Sequence, residues 1–394
     1  MTAYAKIYRD TLLDDVIPFW LKHGLDRKYG GIITALDRDG EVLDTDKSIW
    51  FQGRAAWMFA TLFNTVEPRA EWLTAAKSCV DFLRAHGFAK NGKMYFTVTR
   101  DGKPLRMRRY VFSESFAAIA FAAYAKATGD KSAARDAVKT FTTFLRYSTK
   151  PGLIAPKVDP ATRPMKGLSP LMITIATAQE VRANLGDVKV LGQTCTQWID
   201  QSIAEIRRNF LKPKLKALME TVGPNGEIYN HFDGRLLNPG HALECAWFIL
   251  HEAKLRRDAK LKQIGLKILD WMWERGWDQE HGGLFYFRDV YDQPVQEYWH
   301  DMKFWWPHNE AIIATLLASQ MTGDRKYARW HQRVHDWSFQ HFADPGHAEW
   351  FGYLHRDGEP SNTLKGSLWK GPFHFPRMLL YCWKLLDERA GEHR

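Results

Sequence analysis

Ten residues in the middle of the chain, NPGHALECAW (238–247), place a histidine directly behind an Asn-Pro-Gly stop and a glutamate three positions on, at the head of an apolar run. The pattern reads as a helix start, with Asn as cap and Pro in the first turn. A histidine at such a place titrates near neutral pH, and the free N–H groups beside it favour an oxyanion. Five other apolar segments begin with a charged or titratable group. These are Arg54 in WFQGRAAW, Glu114 in FSESF, Lys166 in RPMKGL, Glu310 in WWPHNEA, and Lys370 with His374 in WKGPFHFPR. Apolar residues would be cheaper to bury there, so the recurrence is a functional signal.

Two imidazoles on different helices, His241 and His374, suit a shared task in which one accepts a proton and the other donates. Taking a proton from a carbon next to a carbonyl leaves an enediolate, whose charge Arg54 or Lys166 would stabilise. Returning a proton to the opposite face inverts that carbon. The sequence has no metal motif, phosphate-cradling Gly loop or Ser nucleophile elbow, so the set suits cofactor-free epimerisation of an open-chain sugar. Each residue also has a plainer role: His241 as a cap, Arg54 as an anchor pairing Glu114, Glu310 as a complement to the helix dipole. Trp305, Trp306 and Trp369 serve either as core or as sugar platforms. His331 and His335 in HQRVH have metal-ligand spacing but sit on an outer helix beside Trp330 and Trp337, and read as core and not as a zinc site.

The elements that must hold these residues follow from a repeat. DRDGEV (37–42), TRDGKP (99–104), HFDGRL (231–236) and HRDGEP (355–360), with DVYDQP (289–294) as a worn copy, each carry a hairpin signal behind a short strand pattern. Apolar helical segments then begin near Ile49, Phe112, His241, Phe304 and Lys370, with a sixth near Leu168 behind a Pro-rich loop; the starts lie about 55 to 75 residues apart. That spacing holds one helix out, one back and a hairpin. Amphipathic segments such as EWLTAAKSCVDFLRAHG alternate with ones apolar all round, such as EAIIATLLASQM. The expectation is an all-α fold, a double-ringed (α/α)6 barrel of six helical hairpins with short β-hairpins at the active-site face, forming one domain over residues 1–394.

Composition limits the alternatives. The chain has 394 residues and is rich in rings, with 17 Trp, 23 Phe and 14 Tyr, as large cores and sugar pockets both require. Its net charge of +10 comes from scattered residues, which argues against nucleic acid and fits an enzyme with an anionic ligand. The N-terminus reads as a first helix and no run is apolar enough to span a bilayer, so a cytoplasmic protein off the membrane is expected. Cys79, Cys195, Cys245 and Cys382 are widely spaced in apolar stretches and read as reduced core thiols.

The stretches GGIITALDRDGEVLDTDKSIWFQGRAAWMF, GRLLNPGHALECAWFIL, WWPHNEAIIA, GYLHRDGEP and KGPFHFPR resemble, in order and spacing, the N-acylglucosamine 2-epimerases, known in animals as renin-binding proteins, from about residue 30 to 385. The resemblance implies an (α/α)6 barrel, a homodimer, and interconversion of N-acetylglucosamine and N-acetylmannosamine at C2. It implies His241 and His374 as the acid/base pair, and Arg54, Lys166, Glu244 and Glu310 around the sugar. Trp306 and Glu114 are further candidates for that site. No cofactor is implied for the chemistry, but ATP or another nucleotide is implied as an activator that is not consumed. The Pro-rich basic stretch 149–166 is the candidate region for it, or is simply a stiff connection. GLSPLMI (167–173) lacks the histidine that cellobiose 2-epimerases and aldose-ketose isomerases carry on the third inner helix, which favours an acylhexosamine over their substrates. Two other readings stay open: glycoside hydrolysis using Glu114, Glu244 and Glu310, and a non-catalytic sugar- or protein-binding barrel.

Overall fold

A computed structural model describes residues 3–108 and 110–392, with side chains as far as 388. Twelve helices run through it. The first, α1, is a continuous rod made of Ala3–Asp10, Thr11–Val16, Ile17–Phe19 and Trp20–Gly24, the second and fourth pieces with wider π-type turns. Pro18 lacks the N–H that would bond the Asp14 carbonyl, and the turns flanking it relax accordingly. There follow α2 (Ile49–Thr65), α3 (Ala70–His86), α4 (Phe112–Thr128), α5 (Lys131–Thr149), α6 (Ser169–Leu185) and α7 (Cys195–Glu205, extended by the π-type segment Ile206–Phe210). The last five are α8 (Pro239–Arg256), α9 (Ala259–Gly276), α10 (Trp305–Thr322), α11 (Arg325–His341) and α12 (His374–Glu392).

Even-numbered helices form the inner ring. In α4 every residue from Ser113 to Ala125 is buried, as a helix enclosed on all sides must be. Odd-numbered helices form the outer ring, and α5 buries only a stripe through Ala133, Ala137, Phe141, Phe144 and Leu145. Gly53 lets α2 and α4 touch, since a Cβ there would stand 2.7 Å from the Phe116 carbonyl carbon. The ring closes where α12 packs on α10 and α1, and where the Lys384 ammonium bonds the Thr65 carbonyl at the end of α2 (2.7 Å). On the outside, the Tyr8 hydroxyl hydrogen-bonds both His331 (3.1 Å) and His335 (2.9 Å), joining α1 to α11.

Inner helices pass to outer ones through tight reversals. Gly129-Asp130, Arg257-Asp258 and Gly323-Asp324 each end one helix in the left-handed region and cap the next with an aspartate. The returns from outer to inner are long. The inner helices are therefore parallel, and the long returns gather at their N-terminal ends.

Some short strands in those returns close hairpins on themselves, as 97–98 with 104–106 and 211–212 with 217–218 do, and others join one return to the next. The two residues just ahead of an inner helix pair with the return one repeat later: Lys47↔Val98, Leu236↔Asp289, Lys303↔Leu354, and Lys166↔Val222. The Asp-Gly turns at Gly40, Gly102 and Gly358 form with positive φ as expected, but HFDG is a 3-10 turn (Asp233–Arg235), because its flanks pair with other repeats and not with each other. The last junction is made by the N–H groups of Lys365 and Gly366, which reach back to the Leu36 carbonyl.

At three of these junctions one device recurs. A fully buried lysine bonds an aspartate that follows an outer helix: Lys47–Asp26 (2.9 Å), Lys303–Asp278 (2.9 Å) and Lys365–Asp344 (2.7 Å). An arginine from an Arg-Asp-Gly turn covers each aspartate from outside, Arg100, Arg356 and Arg38 respectively. Burial alone would raise these carboxyls, but the hydrogen bonds from arginine and lysine outweigh it and hold all three below the usual range, Asp344 at about 2. The repeated Arg-Asp-Gly phrase thus carries a clamp as well as a turn.

Candidate active site

The parallel inner helices surround a cavity of about 840 Å³. Its upper part is walled by Trp50, Tyr110, Trp299, Trp306, Tyr353 and Trp369, and opens among the long returns. His241 enters from the first turn of α8, where Asn238 caps its backbone N–H (3.0 Å). His374 enters from the first turn of α12. The Trp306 indole contacts both rings, its centroid 5.1 Å from that of His241 and 5.7 Å from that of His374, so the imidazoles lie within about 11 Å of each other in one cup.

Each histidine is oriented through Nδ1 by a carboxylate. His241 Nδ1 lies 3.0 Å from both oxygens of Glu220, and His374 Nδ1 lies 2.7 Å from Glu310 Oε1. A carboxylate only accepts, so both Nδ1 atoms carry hydrogen and both Nε2 atoms are left for a ligand. The environments then separate. Burial would lower His241, but the Glu220 charge and hydrogen bond outweigh it and the net shift is upward. Burial lowers His374 strongly, with the Arg54 and Arg377 charges acting in the same direction. The two shifts run in opposite directions, favouring the unprotonated base at His374 and the protonated acid at His241.

Beneath them lies a charge network. Glu310 is fully buried and accepts from His374, from Trp247 Nε1 (2.6 Å) and from Arg377 Nη2 (2.6 Å). Arg377 also bonds Glu244 Oε1 (2.7 Å). Glu244, Glu310 and His374 are close enough to ligate a metal, but the Arg377 guanidinium already bonds both carboxylates there. Arg54 is different. It lines the cavity packed on the rings of Phe116 (4.0 Å), Phe373 (4.5 Å), Phe51 and Trp50, and no hydrogen-bond acceptor meets it among the described residues. Burial lowers it to about 9, so it keeps its charge at neutral pH and is the uncommitted cation of the cup.

Of the residues expected from sequence, Arg54, His241, Glu244, Trp306 and His374 line the cavity, and Glu310 stands one layer behind. Two are corrected. Lys166 does not line the cup: it pairs with Glu205 (2.5 Å) and donates to the Pro224 carbonyl (2.7 Å). Glu114 does not pair Arg54 or line the cavity; it accepts the Met94 backbone N–H (2.8 Å), and burial raises it to about 7. Sequence reasoning missed Glu220 and Arg377. Arg377 was readable, one turn after His374 in HFPR. Glu220 was not, because only the pairing of 221–222 with 166–167, and the bond from Glu220 N–H to the Leu236 carbonyl, carry it beside α8. From the Pro-rich stretch, Lys157 reaches the mouth of the cavity and lies over Tyr110 (4.7 Å).

The barrel of paired helices is shared with solved sugar epimerases and an isomerase. A solved cellobiose 2-epimerase from Bacillus thermoamylovorans superposes with a TM-score of 0.83 over 98% of this chain and 100% of that one, at 19% identity. A D-mannose isomerase superposes at 0.78 with 17% identity. A family model of N-acylglucosamine 2-epimerases matches residues 30–373. The N-acylglucosamine 2-epimerase of Bos taurus is 38% identical over 95% of this chain and 89% of its own, and that of Homo sapiens 36% over 95% and 88%. The chain belongs to the N-acylglucosamine 2-epimerase family.

Proposed function

We propose that the protein interconverts N-acetylglucosamine and N-acetylmannosamine in their open-chain forms, and that His374 and His241 act on opposite faces of C2. The observation that supports this most is the shared cup, in which each imidazole presents Nε2 and each Nδ1 is held by its own carboxylate. With His374 as base, its Nε2 takes the C2 proton while the C–H electron pair moves into a C1–C2 double bond and the aldehyde oxygen becomes an enolate. Arg54, with no acid of its own, stabilises that oxygen. The His241 imidazolium then protonates C2 from the other face as the enolate collapses to the aldehyde. The pair ends with its one proton exchanged between partners, and the reverse reaction runs from that state. Glu220, Glu310 and Arg377 position the groups that react.

Glycoside hydrolysis is disfavoured by the same geometry, since Glu244 and Glu310 are tied to Arg377 and Glu114 lies outside the cup. A one-face isomerisation leaves His241 without a task. The third inner helix offers Ser169, Met172 and Ile173 to the cavity, which suits an acyl group better than a second sugar's hydroxyls. Proton NMR in heavy water tests the proposal: either acetylhexosamine should gain deuterium at C2 and yield its epimer. Deuterium entering at C1 instead, with a ketose as product, overturns it.

A further inference from the structure

The cavity does not end at the histidines. Thr61 and Thr65 on α2, Ala183 on α6, His251 on α8 and Lys384 on α12 also line it, and at 1.5 Å per residue they lie roughly 10 to 21 Å along their helices from Arg54, Ser169, His241 and His374 at the mouth. A layer of side chains lies between its two levels. Trp57 packs edge-on to Phe373 (5.4 Å between centroids), the Arg377 guanidinium lies over Phe373 (4.6 Å) and Trp247 (5.2 Å), and these groups form the floor of the upper cup. Beyond them the same cavity continues as a lower chamber toward the C-terminal ends of the inner helices.

The lower chamber holds groups that epimerisation does not use. Glu180 accepts the Trp57 indole N–H (2.7 Å) through one oxygen, and no other hydrogen bond to its carboxylate occurs among the described residues. His251 Nδ1 is bonded to the Tyr381 hydroxyl (2.5 Å), leaving Nε2. Between them the walls are apolar and aromatic: Ile119, Ala176, Phe248 and the two indoles. Apolar side chains would fill this space at lower cost than a carboxyl and an imidazole. Burial raises Glu180 above the usual carboxylate range and lowers His251 to about 4, so at neutral pH the imidazole is an uncharged donor or acceptor. Lys384, at the lower end, is committed to the Thr65 carbonyl. Indole faces combined with convergent polar groups are the surroundings of a neutral polyhydroxylated ring, whose C–H faces stack while its hydroxyls bond.

We propose that the lower chamber is a second binding site for a neutral pyranose, held between the Trp57 and Trp247 indoles and the Glu180, His251 and Tyr381 side chains. Methyl α-D-glucopyranoside is a suitable probe, since its ring cannot open and it cannot be a substrate. Equilibrium dialysis should show the intact protein binding one more equivalent of this glycoside than Thr61→Trp, which fills the chamber. Glu180→Gln, a smaller change, should weaken that same equivalent about five-fold. C2 deuterium exchange at low sugar should stay within about two-fold of the unmodified protein in both. Equal stoichiometry and affinity in all three proteins overturns the second site. Should Thr61→Trp fail to fold, an unchanged affinity in Glu180→Gln overturns it alone. Because binding is read without turnover, failure of the epimerase proposal leaves this result standing, and the reverse.

Discussion

Two histidines with the same intrinsic chemistry are driven apart by their neighbours. His241 faces Glu220 and shifts up, whereas His374 is buried beside Arg54 and Arg377 and shifts down. In the proposed mechanism the working state holds one proton on the pair, so kcat/KM should be bell-shaped in pH. The acid limb falls as His374 gains a proton, below the ordinary histidine value, and the alkaline limb falls as His241 loses one, above it. Both directions of reaction require the same singly protonated pair and should show the same bell. Glu220→Gln removes the charge that raises His241, and should move the alkaline limb about one to three pH units toward acid while leaving the acid limb in place; an unmoved limb would refute this role of Glu220. His374→Asn or His241→Asn should lower kcat by about 10² to 10⁴-fold with an unchanged circular dichroism spectrum. Arg54→Met should cost about 10² to 10³-fold in kcat, with little change in KM, if the cation acts on the enolate and not on the resting sugar.

Among the elements, the long returns do the positioning and the clamps hold the returns. Lys303 is fully buried, and burial outweighs its attraction to Asp278, lowering it to about 8, still protonated at neutral pH. Asp278→Asn would leave that charge buried with no anion, at a cost of about 3 to 5 kcal/mol read in urea unfolding. Asp278→Asn with Lys303→Met should recover much of the loss, because the uncompensated charge goes with the lysine. A double variant no better than the single one would show that packing, and not charge, is at stake.

Across the whole molecule, stability should decline on the acid side in two stages. His308, His331 and His335 are buried and held down to about 3, 3 and 4, chiefly by burial. The unfolded chain takes up protons near pH 6.5 while the folded one does not, so each costs roughly 1.4 kcal/mol per pH unit from there down to its folded value. The three clamp aspartates act later. Their folded values are depressed, so their contribution is complete above about pH 4 and is lost as pH falls through about 2. Urea midpoints measured from pH 7 to pH 4 should therefore fall steadily before any clamp opens; a flat profile over that range would contradict the burial of these histidines.

The amino-acid sequence alone determined the helical hairpins, their count and the common mouth, because inner and outer helices differ in how far around them apolar residues run, and a closed ring is the simplest way to enclose the former. It also marked Arg54, His241 and His374, since titratable groups at helix heads stand out against apolar runs. Only the tertiary structure decided which charged heads face inward. Lys166 and Glu114 carry the same local signal as Arg54, yet the strand ahead of α6 points Lys166 at Glu205, and the return ahead of α4 offers Glu114 a backbone N–H. Glu220 becomes the partner of His241 through strand pairing between distant repeats, and the Arg-Asp-Gly phrase becomes a clamp through an aspartate from a different return. Those outcomes depend on contacts between residues tens to hundreds of positions apart, which local spacing does not encode.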